Sequence, residues 1–244
     1  MPYSFLKDIV QHTFSLGGIN LVKVTGTESE TAIDALSEDR SVILQAKTHN
    51  PWPMFIGQFG MPNLDKLNVI LNIPEYAADS KITVTKKKVG EVEELAGLHF
   101  ENKAGDFKND YRFMSSALIN EQLKQLKFKG VKWNVEFEPT VQNIQRLKFM
   151  ASANSEEKTF IAKTEKGSLK FMFGDHSSHA GDFVFADSVT GTVAKGFHWP
   201  ITEVMGILNL AGDKVFRISD EGAAQITVDS GLALYTYTMP AQQK

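Results

Sequence analysis

The feature that most constrains this chain is an internal repeat, because a repeat sets the architecture before any single motif is read. The segment Asn63-Leu-Asp-Lys-Leu-Asn-Val-Ile-Leu-Asn-Ile73 is echoed 137 positions later by Pro200-Ile-Thr-Glu-Val-Met-Gly-Ile-Leu-Asn-Leu210. Leu64 matches Ile201, Leu67 matches Val204, Ile70 matches Ile207 and Leu71 matches Leu208. That spacing of three and four is the apolar stripe of a short amphipathic helix, with Asn63 an N-cap and Pro200 a first-turn residue. Before each stands another amphipathic stretch, near Ser4–Leu16 and near Thr140–Ala153. After each comes an alternating strand, Lys81–Lys86 or Lys214–Ser219, and then a hairpin turning at Gly105 or at Ser230-Gly231. The hairpins end in Tyr111-Arg-Phe113 and Tyr235-Thr-Tyr237. Further strands are expected over Thr159–Phe173, turning at Lys166-Gly167, and over Phe183–Trp199, turning at Thr190-Gly191.

The order is therefore helix, strands, helix, strands and hairpin, twice. It predicts an α+β chain of two similar modules, residues 1–114 and 133–244, each with two helices packed on antiparallel sheet. Between them, residues 115–132 form a connector rich in Lys, Gln, Leu and Asn, with a short helix possible over Leu118–Lys127. The chain has 244 residues, of which 42% are hydrophobic and 23% charged, enough to bury a core and too ordinary for disorder. It has no cysteine, so disulfides, thiolate metal sites and cysteine nucleophiles are excluded. No membrane-length apolar run and no secretion leader stand out, so the expected location is cytoplasmic.

Chemistry-bearing motifs are few. Asp175-His176-Ser-Ser-His179-Ala-Gly-Asp182 has metal-loop character, yet its composition is equally that of a polar loop between hairpins, and no metal is assigned to it. Ser4-Phe-Leu-Lys7 and Ser155-Glu-Glu-Lys158 have the spacing of a Ser/Lys hydrolase pair but lack its supporting motifs. There is no phosphate loop and no dinucleotide fingerprint. The adjacent pairs Glu93-Glu94 and Glu156-Glu157, and the run Lys86-Lys87-Lys88, read as solvated surface. The expectation is a non-catalytic protein without a cofactor. Net charge is −3, which excludes bulk electrostatic gripping of nucleic acid unless the basic residues are gathered on one surface. Lys7, Lys66, Arg146 and Lys148 lie on the four helices, against Asp8, Asp65 and Glu203, with Lys23 and Lys214 beside them. The connector is more basic still, through Lys124, Lys127, Lys129 and Lys132.

Two such modules, a connector and the ending Tyr235-Thr-Tyr-Thr-Met-Pro240 resemble a DNA polymerase sliding clamp, over Tyr3 to Ala241. Among clamps, the chain resembles those of T-even-type bacteriophages and their relatives in cyanobacterial phages. The resemblance implies a DNA-clamp fold and a ring of six modules with helices lining the hole. Clamps with two modules per chain form head-to-tail homotrimers, so a homotrimer is implied here. It would encircle double-stranded DNA without sequence preference and tether DNA polymerase, after opening by an ATP-dependent clamp loader. In such phages it would also tether RNA polymerase during late transcription. The DNA-facing residues implied are Lys7, Lys23, Lys66, Arg146, Lys148 and Lys214. The slight basic excess of the helices departs from the strongly basic lining of many clamps. The implied pocket for partner peptides takes Leu118, Ile119 and Leu123 from the connector, with Leu210, Tyr237, Met239 and Pro240 from the last module. Two alternatives stand beside this reading: a two-module viral structural ring without clamp activity, and a hydrolase built on the His176/His179 loop.

Overall fold

In a computed structural model, residues 2–76, 80–124, 128–175 and 179–242 are described. The chain divides into two compact units. The first gathers residues 1–127 with Ser230–Tyr235, and the second gathers Phe128–Asp229 with Thr236–Lys244. The boundary between the units falls inside the segment 115–132, and the opening of the last strand joins the first unit.

The first unit contains α1 (Pro2–His12), β1 (Leu21–Gly26), β2 (Thr31–Leu36), β3 (Ile43–Thr48), β4 (Gly57–Pro62), α2 (Leu64–Leu71), β5 (Lys81–Val89), β6 (Val92–Glu101), β7 (Lys108–Arg112) and α3 (Ser116–Gln122). The second contains β8 (Val135–Phe137), α4 (Val141–Ala153), β9 (Thr159–Glu165), β10 (Ser168–Phe173), β11 (Gly181–Ala186), β12 (His198–Pro200), α5 (Ile201–Leu208), β13 (Asp213–Ser219), β14 (Ala223–Asp229) and β15 (Ala233–Pro240), whose first residues belong to the first unit.

In the first unit, strands run in the order β4-β1-β2-β3 and on to the start of β15, while β5-β6-β7 form a smaller antiparallel sheet. Val22 and Val24 stand opposite Ala35 and Ile33, which stand opposite Leu44 and Ala46. All six are buried and share one face, since directly opposed residues in a sheet point the same way. Leu64, Leu67, Ile70 and Leu71 of α2 are buried as the stripe predicts, each worth roughly 1.5–3 kcal/mol against solvent. Tyr111 ties β7 to the strand before α2 by donating its hydroxyl to the Pro62 carbonyl, and burial pushes its pKa up. Ile119 of α3 is fully buried over β4, where Gly60 leaves the room: a Cβ there would lie 2.9 Å from Ile119 Cδ1.

The second unit repeats the scheme, with sheet order β11-β10-β9-β12 and with β15-β14-β13-β8. Its core is aromatic. Phe171 stacks on Phe185 at 4.2 Å between centroids and lies 4.3 Å from Phe160. Ile201, Val204, Ile207 and Leu208 of α5 are buried, matching α2 position for position. α4 starts with a full capping box: Asn143 N–H donates to Thr140 Oγ1, and Thr140 N–H donates to Asn143 Oδ1.

Two local expectations differ from the structure. Asn63 precedes α2 in a left-handed conformation, but its side chain caps nothing. Asn20 does the capping instead, its backbone and side-chain oxygens accepting from the N–H groups of Leu64 and Asp65. The hairpin expected over Phe183–Trp199 does not form, because β12 pairs with β9 and β11 pairs with β10. The intervening loop packs on residues 134–135 instead. Gly191 has φ +97° there, and a Cβ on it would lie 1.9 Å from the Asn134 carbonyl oxygen. Gly191→Ala is therefore expected to lose roughly 1–3 kcal/mol of stability. Gly17→Ala, at φ +83° with open space around it, should lose only about 1 kcal/mol. Urea unfolding of the two variants checks the contrast.

Candidate nucleic-acid interface

The candidate surface is the solvent side of the helices, since their other side is spent on the sheets. On α1 the exposed positions are Ser4 and Gln11, with Lys7 half-buried and its Nζ 5.9 Å from the centre of the Tyr3 ring. On α2 they include Asp65, Lys66 and Val69, the last 65% exposed. On α4 they are Val141, Gln142, Gln145, Arg146, Phe149, Ser152 and Ala153, with Lys148 half-buried. Val141 is 85% and Phe149 64% exposed, so much of this helix offers apolar and amide groups rather than charge. Phe149 is not singled out by the sequence.

The six basic residues expected to face DNA are placed in three ways. Lys7, Lys66, Arg146 and Lys148 lie on helices with solvent access. Arg146 nevertheless turns its guanidinium over the ring of Phe183 on β11, 5.3 Å from its centre. Lys214 shares the inward face of β13 with Phe216 and Ile218, and its Nζ donates to the Gly212 carbonyl at 2.7 Å. Burial pulls its pKa below the usual lysine value, partly opposed by Asp213. Lys23 lies elsewhere. It stands opposite Asp34 on β2, alternates with the buried Val22 and Val24, and so occupies the sheet face away from the helices. It is 9% exposed there and sits 3.9 Å from the Asp34 carboxylate.

The residues expected to capture partner peptides also divide. In the first unit, Leu118 is 52% exposed, whereas Ile119 and Leu123 are buried. In the second, Pro240 is exposed and Leu210 half-buried, while Tyr237 and Met239 are wholly covered. The expected surface role for that pair meets a plain obstacle: alternation along β15 turns Ala233, Tyr235, Tyr237 and Met239 inward. Half-exposed aromatics stand elsewhere in this unit. Phe128 stacks with Trp133 at 6.1 Å. Phe197 is close to Gly222, which also approaches Ala241 of the tail. Their loop positions gave no periodic signal.

At α1 a buried polar cluster ties the start of β15 to the helix. Tyr235 donates its hydroxyl to Asp8 Oδ2 at 2.7 Å, and Ser230 donates to the same oxygen at 3.0 Å. The His12 ring stacks on Tyr235 at 4.4 Å, with Nδ1 2.9 Å from the Asp8 carbonyl oxygen. A carboxylate accepting two hydroxyls in a dry setting is a strong fastening, and Asp8→Ala should cost roughly 2–4 kcal/mol by denaturant titration.

Among the described residues no group of three or more His, Asp or Glu could hold a metal, and no helix is long and apolar enough to cross a membrane. His176 of the polar loop lies outside the described residues. No protein-family model and no curated protein sequence matches the chain. Solved structures do. A structure of the C-terminal region of FEN-1 bound to A. fulgidus PCNA aligns with TM-score 0.69 at 11% identity, over 99% of this chain and 96% of that one. PCNA from Thermococcus kodakaraensis aligns with TM-score 0.67 at 11% identity, over 97% of each chain. The likeness shows the fold: a mixed α+β chain of antiparallel sheets and few helices, matching the DNA-clamp fold of PCNA.

The depressed pKa of Lys214 fixes a sign. A lysine whose folded pKa lies below its unfolded value weighs against the fold while protonated, and the penalty fades as pH rises toward the usual value near 10.5. Lys214→Met is expected to raise the melting temperature at pH 7, with the gain shrinking toward pH 10. Thermal melts across that range test it.

Proposed function

We propose that this chain is a sliding clamp, a subunit that closes into a ring around duplex DNA and tethers a replicative DNA polymerase. The observation that carries the reading is the repeated pair of helices on one face of antiparallel sheet, in a DNA-clamp fold that accounts for nearly the whole chain. Two modules per chain favour a homotrimer, because three copies supply six modules and a head-to-tail contact then closes. In this reading the ring holds DNA topologically, so a net charge of −3 is no obstacle. A few lysines on the helices then suffice for contact with the DNA inside. Lys7, Lys66 and Lys148 are the proposed inner contacts, with Lys214 at their margin.

Opening the ring falls to an ATP-dependent loader, since the chain carries no phosphate loop of its own. Polymerase attaches through a short apolar peptide. In the first unit the accessible residue for it is Leu118, and in the second Leu210, Pro240 and the neighbouring Phe197, with Ile119, Leu123, Tyr237 and Met239 as the packed support beneath. A bacteriophage source, and tethering of RNA polymerase in late transcription, belong to the same proposal and rest on the sequence resemblance alone.

The test is molar mass by light scattering over a concentration series, followed by polymerase assays. A species near 81 kDa, three times 27.1 kDa, with longer products per binding event, is the expected result. A monomer at every concentration, or a stable dimer, overturns the ring. Lys7→Glu with Lys66→Glu should leave the mass unchanged and weaken low-salt association with duplex DNA several-fold. Unchanged association removes both residues from the inner surface.

A further inference from the structure

The two units treat the strand after their second helix differently. In the second unit β13 follows α5 and pairs with β14 on one side. On its other side β8 sets Phe137, Glu136 and Val135 opposite Phe216, Arg217 and Ile218. The segment ending in β8 is fastened along this edge. Asn134 N–H donates to the Ile218 carbonyl at 2.9 Å, and Ser219 donates its hydroxyl to the Lys132 carbonyl at 2.7 Å. Phe137 lies 5.4 Å from Phe216 and 5.8 Å from Phe185 between ring centres, and Arg217 Nε donates to the Glu136 carboxylate. Under this cover Phe216 and Ile218 are wholly buried.

In the first unit β5 follows α2 and pairs with β6, and there its sheet ends. The strand order is β5-β6-β7, and among the described residues no strand lies on the other side of β5. Ile82 and Val84 stand opposite Phe100 and Leu98, which are buried, yet both remain half-exposed, and none of the 9 residues of β5 is buried. A strand edge carries N–H and C=O groups turned away from its one partner, so it is a template for another strand. The charge of this edge selects among strands. Lys86 pairs with Glu93 and Lys87 with Glu94 on β6, whereas Lys81 and Lys88 form no ion pair among the described residues. Two copies of β5 would repel each other edge to edge, while a strand bearing carboxylates is attracted.

We propose that the open edge of β5 is a docking site for an extended segment of a partner protein, added as a strand, in which apolar residues alternate with carboxylates. The stretch Asn134-Val-Glu-Phe-Glu138 displays this pattern within the chain itself, with Val135 buried, Phe137 half-buried, and Glu136 and Glu138 exposed. It does for β13 what the partner segment does for β5. Main-chain hydrogen bonds along the edge supply the affinity, and alternate side chains supply the selection. Apolar residues of the added strand complete the cover of Ile82 and Val84. Its carboxylates meet the unpaired ammonium groups of Lys81 and Lys88, which stand toward the two ends of the edge. The site does not depend on the ring reading, because β5 has this edge in the single chain.

The probe is a fluorescein-labelled peptide with the sequence of residues 133–138, Trp-Asn-Val-Glu-Phe-Glu, titrated with the full chain and read by anisotropy. Hydrogen exchange locates it. Saturable binding with slowed exchange of the amides of residues 81–85 is the expected result. Glu136→Lys with Glu138→Lys in the peptide, or Lys81→Glu with Lys88→Glu in the chain, should each weaken binding roughly fivefold or more. Circular dichroism of the chain variant should match the parent, since both lysines are exposed. No saturation at millimolar peptide overturns the proposal. So does protection confined to residues 213–219, where the peptide would have taken the place of β8. Binding indifferent to both pairs of charge reversals overturns the requirement for carboxylates. Protection of β5 that grows with chain concentration in the absence of peptide gives the edge to a second copy and overturns the partner segment.

Discussion

Each of the larger sheets has one apolar face, and keeping water from it is the task on which the rest of the structure depends. In both units a pair of short helices does this, α1 with α2 and α4 with α5, using stripes of four or fewer large apolar residues per helix. Helices this short are not stable alone in water, so they exist only as covers for the sheet. Covering fixes their orientation. The apolar stripe must face inward, and whatever lies opposite it becomes a surface aligned along the unit. The candidate nucleic-acid surface is thus a by-product of core formation: the residues there carry no packing duty and are free to be chosen for another purpose.

That surface is sparsely charged. Val69, Val141 and Phe149 stand among Lys66, Gln142 and Gln145, so a ligand would meet a mixed field rather than a basic strip. Affinity for a polyanion grows with the number of phosphates neutralised, and a handful of lysines gives a weak, salt-sensitive hold. Under the proposed clamp function such weakness is useful, provided that closure rather than contact prevents escape. The cost of each step along the duplex is then small, because few contacts are broken at once.

Much of the fold was legible in the sequence because periodicity carries over long, regular elements. The stripe at Leu64, Leu67, Ile70 and Leu71 and its partner from Ile201 to Leu208 are both seated as the spacing requires. Hairpin turns at Lys166-Gly167 and Ser230-Gly231 were legible for the same reason, with left-handed glycines supplied where the chain reverses. What was not legible depends on partners distant in sequence. Nothing near Asn63 shows that Asn20 will cap α2, and nothing near Thr190-Gly191 shows that β12 will choose β9 over β11. For the site, being basic and near a helix was too coarse a criterion. Alternation within β1 sends Lys23 to the opposite face from Val22 and Val24, and alternation within β15 buries Tyr237 and Met239. Both follow from the two-residue period of a strand, once the strand's apolar face is known.

The β5–β6 hairpin has a further consequence. Beyond Thr85 the β5 strand is exposed up to a turn at Gly90, and β6 is exposed at Val92 and Glu93 before Glu94 and Leu95 become half-buried. The rungs here are held by surface pairs, Lys86 with Glu93 at 3.3 Å and Lys87 with Glu94 at 4.0 Å, which add little to global stability. The end of this arm is therefore uncoupled from the core. It is a place where a fluorophore, an affinity tag or a short foreign peptide could be spliced in while the sheet and its helical cover fold as before.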